Sequence, residues 1–428
     1  MALVHERIVT KNFGKPESHT LRAYLEGGGY QAIRRILGRV EPKEVVEWAK
    51  TSGLRGRGGA GFPAGLKWSF VPRDISPRYL AVNADEGEPG TFKDRALMLY
   101  DPHLLIEGTL ICAYAVGIER AFIYIRGEFA EPWRRVEAAL AEAYEAGYLG
   151  KDVLGSGFSL EVHTYRGLGS YICGEETGLL ESLEGKRGMP RPRPPFPAVK
   201  GLYGKPTVIN NVETLCCLPD IVLKGPEWFR SIGIDEKNTG TRMYCLSGHV
   251  ERPGIYELPL GITLREMIEE HAGGVRGGKK LKAVIPGGVS APLLTAEEAD
   301  VRMDFDSLAR AGSMGGSGGV IVMDETTCMV QAAYKVARFF EHESCGQCSV
   351  CREGTGWASQ ILRRIENGRG RPDDLDTLAG LLPNMQGNTI CVLSDACSMA
   401  VGSSLQKFRA EYEAHIREGQ CPLGSPYP

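Results

Sequence analysis

The sequence predicts an α/β protein in which a layered α/β region is followed by a small β-grasp-like module and a C-terminal helical bundle. Three observations predict it. Short apolar runs, RYLAVNA and AFIYIRGE, alternate with longer amphipathic stretches between residue 50 and about residue 240, as strands layered with helices do. The pattern changes over residues 243–323, where strand-like runs surround a single helix-like stretch. From Cys328 onward apolar residues recur at helical spacing. The expected units are an N-terminal helical segment (1–52), the α/β region (53–240), the β-grasp-like module (241–325) and the bundle (326–428).

From the N-terminus, GGYQAIRRILG is a short amphipathic run, and EPKEVVEWAKTSG has Pro42 where a helix starts and Gly53 where it stops. A glycine-rich loop covers residues 53–65. RYLAVNA (78–84) and AFIYIRGE (121–128) suit buried strands with a helical stretch between them, and EPWRRVEAALAEAYEAG (131–147) reads as an amphipathic helix. FSLEVHTY (158–165) alternates as a strand does. Pro190, Pro192, Pro194, Pro195 and Pro197 make an extended arm that neither forms helix nor joins a central ladder. RMYCLSGHVERPGIYELP reads as a hairpin, LREMIEEHAGG as a helix, and KAVIPGG and GVIVM as strands. KVARFFEHES, GWASQILRRIENG and SSLQKFRAEYEAHIREG are amphipathic helices of a bundle.

The chain has 428 residues, 43 % hydrophobic and 24 % charged, enough for a large core and too apolar for disorder. Lys and Arg number 50 against 53 Asp and Glu, a net charge of −3, so no basic excess holds a nucleic-acid backbone. Glycine supplies 55 residues, nearly twice the usual share of about 7 %, and many positions are expected to need positive φ or close approach to a ligand. The opening residues show no apolar core of signal-peptide length. The longest apolar stretch, residues 108–118, falls short of the about 20 residues a membrane span needs. Twelve cysteines, with Cys216 and Cys217 adjacent, then point to a reducing, cytoplasmic setting and to metal rather than disulfides.

The sharpest local signal is Cys345, Cys348 and Cys351 at C-x₂-C-x₂-C spacing, with Cys391 following after 39 intervening residues. A tight loop of three thiolates closed by one remote thiolate suits a [4Fe–4S] cluster. Zinc with four thiolates usually draws two C-x₂-C pairs from separate hairpins, which this pattern lacks. By spacing alone Cys397 competes with Cys391 for the fourth position. Cys112, Cys216, Cys217, Cys245, Cys328 and Cys421 read as core or surface thiols, and Cys173 reads either way.

The glycine-rich loop contains a formal G-x-G-x-x-G at Gly56, Gly58 and Gly61. It follows a helix rather than a strand, so the dinucleotide fingerprint fails in its usual context. Glycines still let backbone N–H groups approach phosphate oxygens, Arg55, Arg57 and Lys67 add charge, and Phe62 and Phe70 offer faces for a flat ring. The loop alone reads equally as a flexible basic loop. After the first strand comes Asn83-Ala-Asp85-Glu86-Gly87-Glu88; carboxylates there bind ribose or ribityl hydroxyls and repel a 2′-phosphate. Tyr171-Ile-Cys173-Gly174-Glu175-Glu176 and Asn210-Asn211-Val-Glu213-Thr214 repeat the theme at other strand ends. Four such clusters point to one shared pocket rather than four turns.

SGLRGRGGAGFP, NADEGEPGTFKDR, DPHLLIEG, YICGEET, SLEGKRG, GKPTVINNVET, GIYELP and ESCGQC–CREG occur in order from about residue 50 to residue 400. Together they resemble the NADH-binding flavoprotein subunit of respiratory complex I, the F-subunit family of NADH:quinone oxidoreductases. The resemblance implies an FMN-binding α/β domain of Rossmann-like character, a ubiquitin-like (SLBB-like) β-grasp domain, and a helical bundle carrying one [4Fe–4S] cluster on Cys345, Cys348, Cys351 and Cys391. Carried over by position, FMN is held by Gly56, Gly58, Gly59, Lys67, Asn83, Asp85, Glu86, Tyr171, Gly174, Glu175, Asn210, Asn211 and Thr214. NADH stacks on Phe62, helped by Phe70, Glu88 and Phe196. Arg57, Gly61, Glu176, Arg193 and Ile209 lie in the same stretches and complete the expected cofactor contacts. Glu86 and Glu88 are the expected chemical participants, with pKa values perturbed beside a flavin.

The implied reaction is hydride transfer from NADH to flavin. Single electrons then pass to the cluster, to a thioredoxin-like [2Fe–2S] subunit and to other peripheral-arm iron–sulfur subunits, toward quinone. The implied location is the cytoplasmic side of a membrane, without insertion into it. Two departures are visible: relatives carry Ser where Gly87 stands, and often Lys where Arg193 stands, which keeps charge but not geometry. The rival within the same chemistry is the diaphorase subunit of an NAD-linked hydrogenase or formate dehydrogenase. Fused [2Fe–2S] or ferredoxin-like domains, common there, are not expected in this chain. The rival from another class is a zinc-stabilised scaffold without flavin.

Overall fold

The computed structural model describes residues 6–424. Strands β1 (Tyr79–Ala84), β2 (Arg120–Ile125), β3 (Glu161–Arg166) and β4 (Thr207–Asn211) form a wholly parallel sheet in the order β3-β2-β1-β4. YLAVNA is buried at five of its six residues, because helices cover both faces of a parallel sheet. Strand β3 begins at Glu161, three residues later than the run FSLEVHTY suggested, and as an edge strand stays partly in water.

Chain order reverses at β1: β2 and β3 build outward on one side, and β4 pairs on the other. Such a reversal opens a crevice beyond the carboxyl ends of the two central strands, where open α/β sheets bind ligands. The loop after β1 carries Asp85–Glu88, and Asn211 ends β4 and caps the helix Val212–Cys216 that carries Thr214.

Helix Pro102–Val116 fills the middle of this layer. Asp101 caps it by accepting from the Leu104 N–H, Pro102 occupies the first position, and Gly117 ends it at φ 75°. Every residue of it but Tyr114 is buried, so the longest apolar stretch is a core helix. Among the described residues no single helix is long and apolar enough to cross a membrane. Gly108 is required here, since a Cβ would lie 2.1 Å from the Leu215 carbonyl oxygen, where helix Val212–Cys216 crosses. Glu107, the one charge in that helix, accepts from the backbone N–H groups of Tyr30 (2.8 Å) and Ile33 (3.1 Å) and from the Tyr24 hydroxyl. Helices Leu21–Glu26, Gln31–Ile36 and Pro42–Thr51 thereby dock onto the α/β core rather than forming a core of their own.

The proline arm is irregular up to Phe196, but Pro197 opens a one-turn helix, Pro197–Lys200. This corrects the expectation of a wholly extended arm: at the first helical position the missing N–H has no intrahelical partner to lose. A short hairpin, β5 (Gly233–Asp235) with β6 (Asn238–Thr239), leads into a second, mixed sheet. Its strands are β7 (Thr241–Gly248), β8 (Gly254–Pro259), β9 (Leu281–Ile285), β10 (Leu294–Thr295) and β11 (Gly319–Asp324), in the order β10-β9-β11-β7-β8. First and last strands β7 and β11 run parallel in the middle, with antiparallel partners outside them, the β-grasp arrangement. The segment LREMIEEHAGG is helical, but after one α-turn (Leu264–Glu266) it continues in π geometry (Met267–His271). The N-terminal strap is tied to this sheet: the N–H groups of Ile8, Val9 and Thr10 donate to the Glu257 carboxylate at 2.8, 3.1 and 2.9 Å.

Helices Met329–Glu343, Ser349–Glu366, Asp374–Met385, Leu393–Lys407 and Arg409–Glu418 form the bundle around a core that includes Phe340, Leu362, Leu378, Val401 and Tyr412.

Candidate active site

The glycine loop closes on itself. The Gly56 N–H donates to the Phe62 carbonyl (2.9 Å), and Arg55 and Pro63 form an antiparallel bridge. The Arg57 N–H donates to Thr214 Oγ1 (2.8 Å), pinning the loop over the end of β4. Among the described residues the N–H groups of Gly58, Gly59, Ala60 and Gly61 have no protein acceptor, a run of free donors suited to anionic oxygens. Gly58 faces Asn211 so closely that a Cβ would come within 3.0 Å of the asparagine Cβ.

Two of the three cations expected to charge this loop turn elsewhere. The Arg57 guanidinium is wholly buried and donates to the Thr239 carbonyl (2.9 Å). Arg55 lies over the Phe305 ring, 4.1 Å from its centroid, and its Nε donates to the Gly61 carbonyl (2.7 Å). The expectation that Arg57 offers its charge to a phosphate is therefore corrected: its contribution is the backbone. Lys67 does reach the crevice, pairing with Glu176 Oε1 (2.5 Å) and donating to the Ile209 carbonyl (3.1 Å).

At the end of β1, Asn83 Nδ2 donates to the Gly174 carbonyl (2.9 Å), and Asn83 Oδ1 accepts from the Asp85 N–H (3.1 Å). Asn210 Oδ1 accepts from Trp68 Nε1 (2.9 Å), and Asn211 Nδ2 donates to Asp94 Oδ2 (2.6 Å). Gly174 leaves room for the Asp85 backbone, whose oxygen would lie 3.2 Å from a Cβ there. Burial pushes the Asp85 carboxyl up to about 7 against the pull of Arg126, and its Oδ2 is buried without a hydrogen-bond partner. Glu175 caps helix Glu176–Leu183, accepting from the Thr177 and Gly178 N–H groups at 2.8 and 2.9 Å. Arg193 lies 3.4 Å from Glu175 Oε1 and 3.8 Å from Glu176 Oε2, joining the proline arm to this rim.

The two expected chemical participants are both engaged. Glu86 accepts from the N–H groups of Asp94 (2.9 Å) and Arg95 (3.0 Å), where helix Lys93–Tyr100 starts. Burial, with the nearby Asp94, raises its carboxyl to about 7. With one oxygen on each N–H, Glu86 anchors a helix start. Glu88 accepts from the Ser290 N–H (2.7 Å), the Ser290 hydroxyl (2.8 Å) and the Tyr171 hydroxyl (2.7 Å). Burial raises its carboxyl, partly offset by those donors. Glu88 thus latches the α/β crevice to the β-grasp sheet. Phe62, Phe70 and Phe196 stand at the mouth, 42, 52 and 58 % exposed, with the first two rings 6.3 Å apart.

The sequence does not single out Lys93, Trp68 or Ser290, and shows Glu213 only as a member of the Asn210–Thr214 run, without its partner. The Lys93 ammonium is buried 2.8 Å from both Asp94 Oδ1 and Glu213 Oε2. Burial opposes its charge, but Asp94, Glu213 and Glu86 outweigh burial and raise its pKa. In the run TFKDR it reads as one charge of a solvated turn, and nothing local announces a partner as distant as Glu213.

Cys345 lies beyond helix Met329–Glu343, Cys348 caps helix Ser349–Glu366, which contains Cys351, and Cys391 precedes helix Leu393–Lys407. The Ile390 N–H donates to Cys348 Sγ (3.4 Å), drawing the remote segment to the loop. Cys391 lies close enough to Cys351 and Cys345 for all three thiols to interact electrostatically. Cys397 points into the helix core, wholly buried. Among the described residues the His/Cys/Asp/Glu group whose ligand atoms all lie within 4.8 Å is a different one, Cys328, His415 and Cys421. A single zinc with Zn–S bonds of about 2.3 Å draws its thiolates to about 3.8 Å, so the wider four-thiol set fits a cluster rather than one ion. The two sites adjoin: the Tyr171 N–H donates to Glu343 Oε2 (3.0 Å), and Tyr171 and Glu175 both lie within electrostatic reach of Cys391.

Residues 49–220 match the Nuo51 FMN-binding domain, residues 242–322 an SLBB domain, and residues 331–415 the NADH-ubiquinone oxidoreductase-F iron-sulfur binding region. The chain is 58 % identical to the NADH-quinone oxidoreductase F-subunit 2 of Rhizobium meliloti (strain 1021), over 98 % of this chain and 99 % of that one. This chain belongs to the F-subunit family of NADH-quinone oxidoreductases. The F-subunit of Mycobacterium tuberculosis (strain ATCC 25618 / H37Rv) is 52 % identical over 97 % of this chain and 95 % of its own length. Among solved structures, the air-oxidized NAD+-reducing [NiFe]-hydrogenase superposes with a TM-score of 0.83 at 35 % identity, covering 97 % of this chain and 68 % of that one. The FMN-binding match spans the glycine loop and strands β1 to β4, and the iron-sulfur match spans Cys345, Cys348, Cys351 and Cys391. The family's FMN and [4Fe–4S] regions therefore coincide with the crevice and the four-thiol set.

Proposed function

We propose that this chain is the electron-input subunit of an NADH:quinone oxidoreductase, oxidising NADH and delivering electrons to one [4Fe–4S] cluster. The observation that carries the reading is the adjacency of the two sites through Tyr171, whose hydroxyl meets Glu88 in the crevice and whose N–H meets Glu343 beside the cysteine loop. Bound FMN supplies hydride acceptance and one-electron release; the chain positions, shields and tunes.

The free N–H groups of Gly58, Gly59 and Gly61 bind phosphate oxygens, with Gly56 and Thr214 holding the loop in place. The amides of Asn83, Asn210 and Asn211 and the carboxylate of Asp85 bind hydroxyl and ring edges at the carboxyl ends of β1 and β4. Lys67, with Glu176, Ile209 and Arg193, braces the far wall, and Gly174 and Glu175 form the wall toward the cluster. Phe62, Phe70 and Phe196 present faces on which NADH rings stack. The acidic lining disfavours a 2′-phosphate, so NADH is preferred over NADPH. Cys345, Cys348, Cys351 and Cys391 hold the cluster. Electrons leave for a thioredoxin-like [2Fe–2S] subunit and other iron–sulfur subunits of a peripheral arm, on the cytoplasmic side of the membrane. Identity of 58 % along nearly the whole length to a quinone oxidoreductase subunit outweighs 35 % to the hydrogenase chain, which supports the complex I reading over a hydrogenase diaphorase.

An anaerobic NADH titration of the purified chain, read by flavin absorbance and then by low-temperature EPR, tests this. Bleaching of the flavin with growth of a [4Fe–4S] signal is expected. Flavin that stays oxidised with NADH removes the nicotinamide roles of Phe62 and Glu88, and zinc without flavin removes the whole reading.

A further inference from the structure

Cys328 caps helix Met329–Glu343, His415 stands in the last helix, and Cys421 follows that helix. Their two sulfurs and one ring nitrogen all lie within 4.8 Å of one another. Cys328 Sγ is 3.3 Å from His415 Nε2, and Glu366 Oε2 is 3.7 Å from both. The His415 and Glu366 side chains are only 1 and 4 % exposed. His415 Nδ1 lies 2.7 Å from the Glu411 carbonyl oxygen; donating there places the ring proton on Nδ1 and leaves the Nε2 lone pair facing the sulfurs.

The Cys328–His415, Cys328–Glu366 and His415–Glu366 separations are close to those of a coordination shell, whereas Glu366 stands outside the group that gathers within 4.8 Å around Cys421 and closes onto the ion as it binds. Bonds of about 2.3 Å to sulfur and about 2.0 Å to nitrogen or oxygen put the ligands of a tetrahedral zinc about 3.3–3.8 Å apart. Thiolates with imidazole select zinc over magnesium or calcium, which take oxygen ligands. The set is separate from the four-thiol site: the family's iron-sulfur match covers residues 331–415 and leaves out Cys328 and Cys421. The backbone brings the tail close here, for a Cβ on Gly368 would lie 1.9 Å from the Gly419 carbonyl oxygen.

We propose that Cys328, His415 and Cys421, with Glu366 in the fourth position, bind a structural zinc ion that staples the tail and the last helix to the start of the bundle. Binding releases the two thiol protons to solvent and changes no oxidation state. A site closed by four protein ligands leaves no open position for substrate, hence the structural role.

The test is elemental analysis and zinc K-edge absorption on the purified full chain carrying FMN and its cluster, grown with added zinc. One zinc per chain is expected beside the cluster iron, with two sulfur scatterers at about 2.3 Å and nitrogen or oxygen scatterers at about 2.0 Å. Cys421→Ser and His415→Ala are each expected to lower zinc to about one tenth or less of the wild-type content while iron and FMN hold. Wild-type chain without zinc, or zinc surrounded by four sulfurs, overturns the proposal, as does zinc that persists in both variants. Should the variants fail to accumulate, the wild-type metal content and spectrum decide alone.

Discussion

At the scale of single residues, the crevice keeps carboxylates where water is scarce. Asp85 titrates at about 7 because burial outweighs the Arg126 charge. A folded pKa above the unfolded value means the folded chain holds its proton longer, so this group's contribution to stability is greatest below about pH 4 and falls as pH rises to 7. Asp85→Asn removes that loss. In the flavin-free chain it is expected to gain on the order of 1–3 kcal/mol over wild type at pH 8 and little at pH 4, at about 1.4 kcal/mol per pKa unit. Urea midpoints at the two pH values check this, and an equal shift at both contradicts the assignment. Glu88→Gln keeps an oxygen for Tyr171 and Ser290 but no longer titrates. Its KM for NADH or the acid limb of its pH profile is expected to change, and steady-state kinetics that match wild type from pH 5 to 8 would remove Glu88 from the binding site.

Elements carry the next set of constraints. Helix Lys93–Tyr100 has no side-chain cap of its own at Phe92 and relies on Glu86 for its first N–H groups. Glu86→Ala leaves those donors unmatched in a buried place and is expected to cost about 1–3 kcal/mol, read as a lower denaturation midpoint. A loss of NADH turnover without any loss of stability would instead point to the chemical role. Gly108→Ala drives a methyl toward the Leu215 carbonyl, 2.1 Å away. The two helices must separate, at an expected cost of about 1–3 kcal/mol or more. An unchanged Tm would show that they separate freely.

For the whole molecule, the α/β layer, the β-grasp sheet and the bundle meet at one place. Glu88 is bonded to Ser290 on one side and Tyr171 on the other, and Tyr171 is bonded to Glu343 of the bundle. Cys351→Ser is therefore expected to leave NADH-dependent flavin bleaching in place while abolishing the cluster signal and electron delivery to an acceptor. Loss of bleaching in a variant that still binds flavin would mean that the two sites do not work in sequence as proposed.

Local patterns were legible before any fold was known. The glycine run and the acidic turn after RYLAVNA, each ambiguous alone, pointed to one pocket only when read together, whereas the C-x₂-C-x₂-C loop depends on neighbours in the chain, so its spacing announces a cluster. The order of strands, helices and the β-grasp module followed from apolar periodicity for the same reason. Only the tertiary structure decided where the charges point. Arg57 turns inward to Thr239, Lys93 finds Glu213, Glu257 of β8 gathers three N–H groups from residues 8–10, and Cys328, a plain core thiol by sequence, meets His415 and Cys421. Each pairing joins segments far apart in the chain, and contact between them depends on how whole layers stack. Periodicity records which face of an element is apolar; what that face meets is set only when the layers close around a common core.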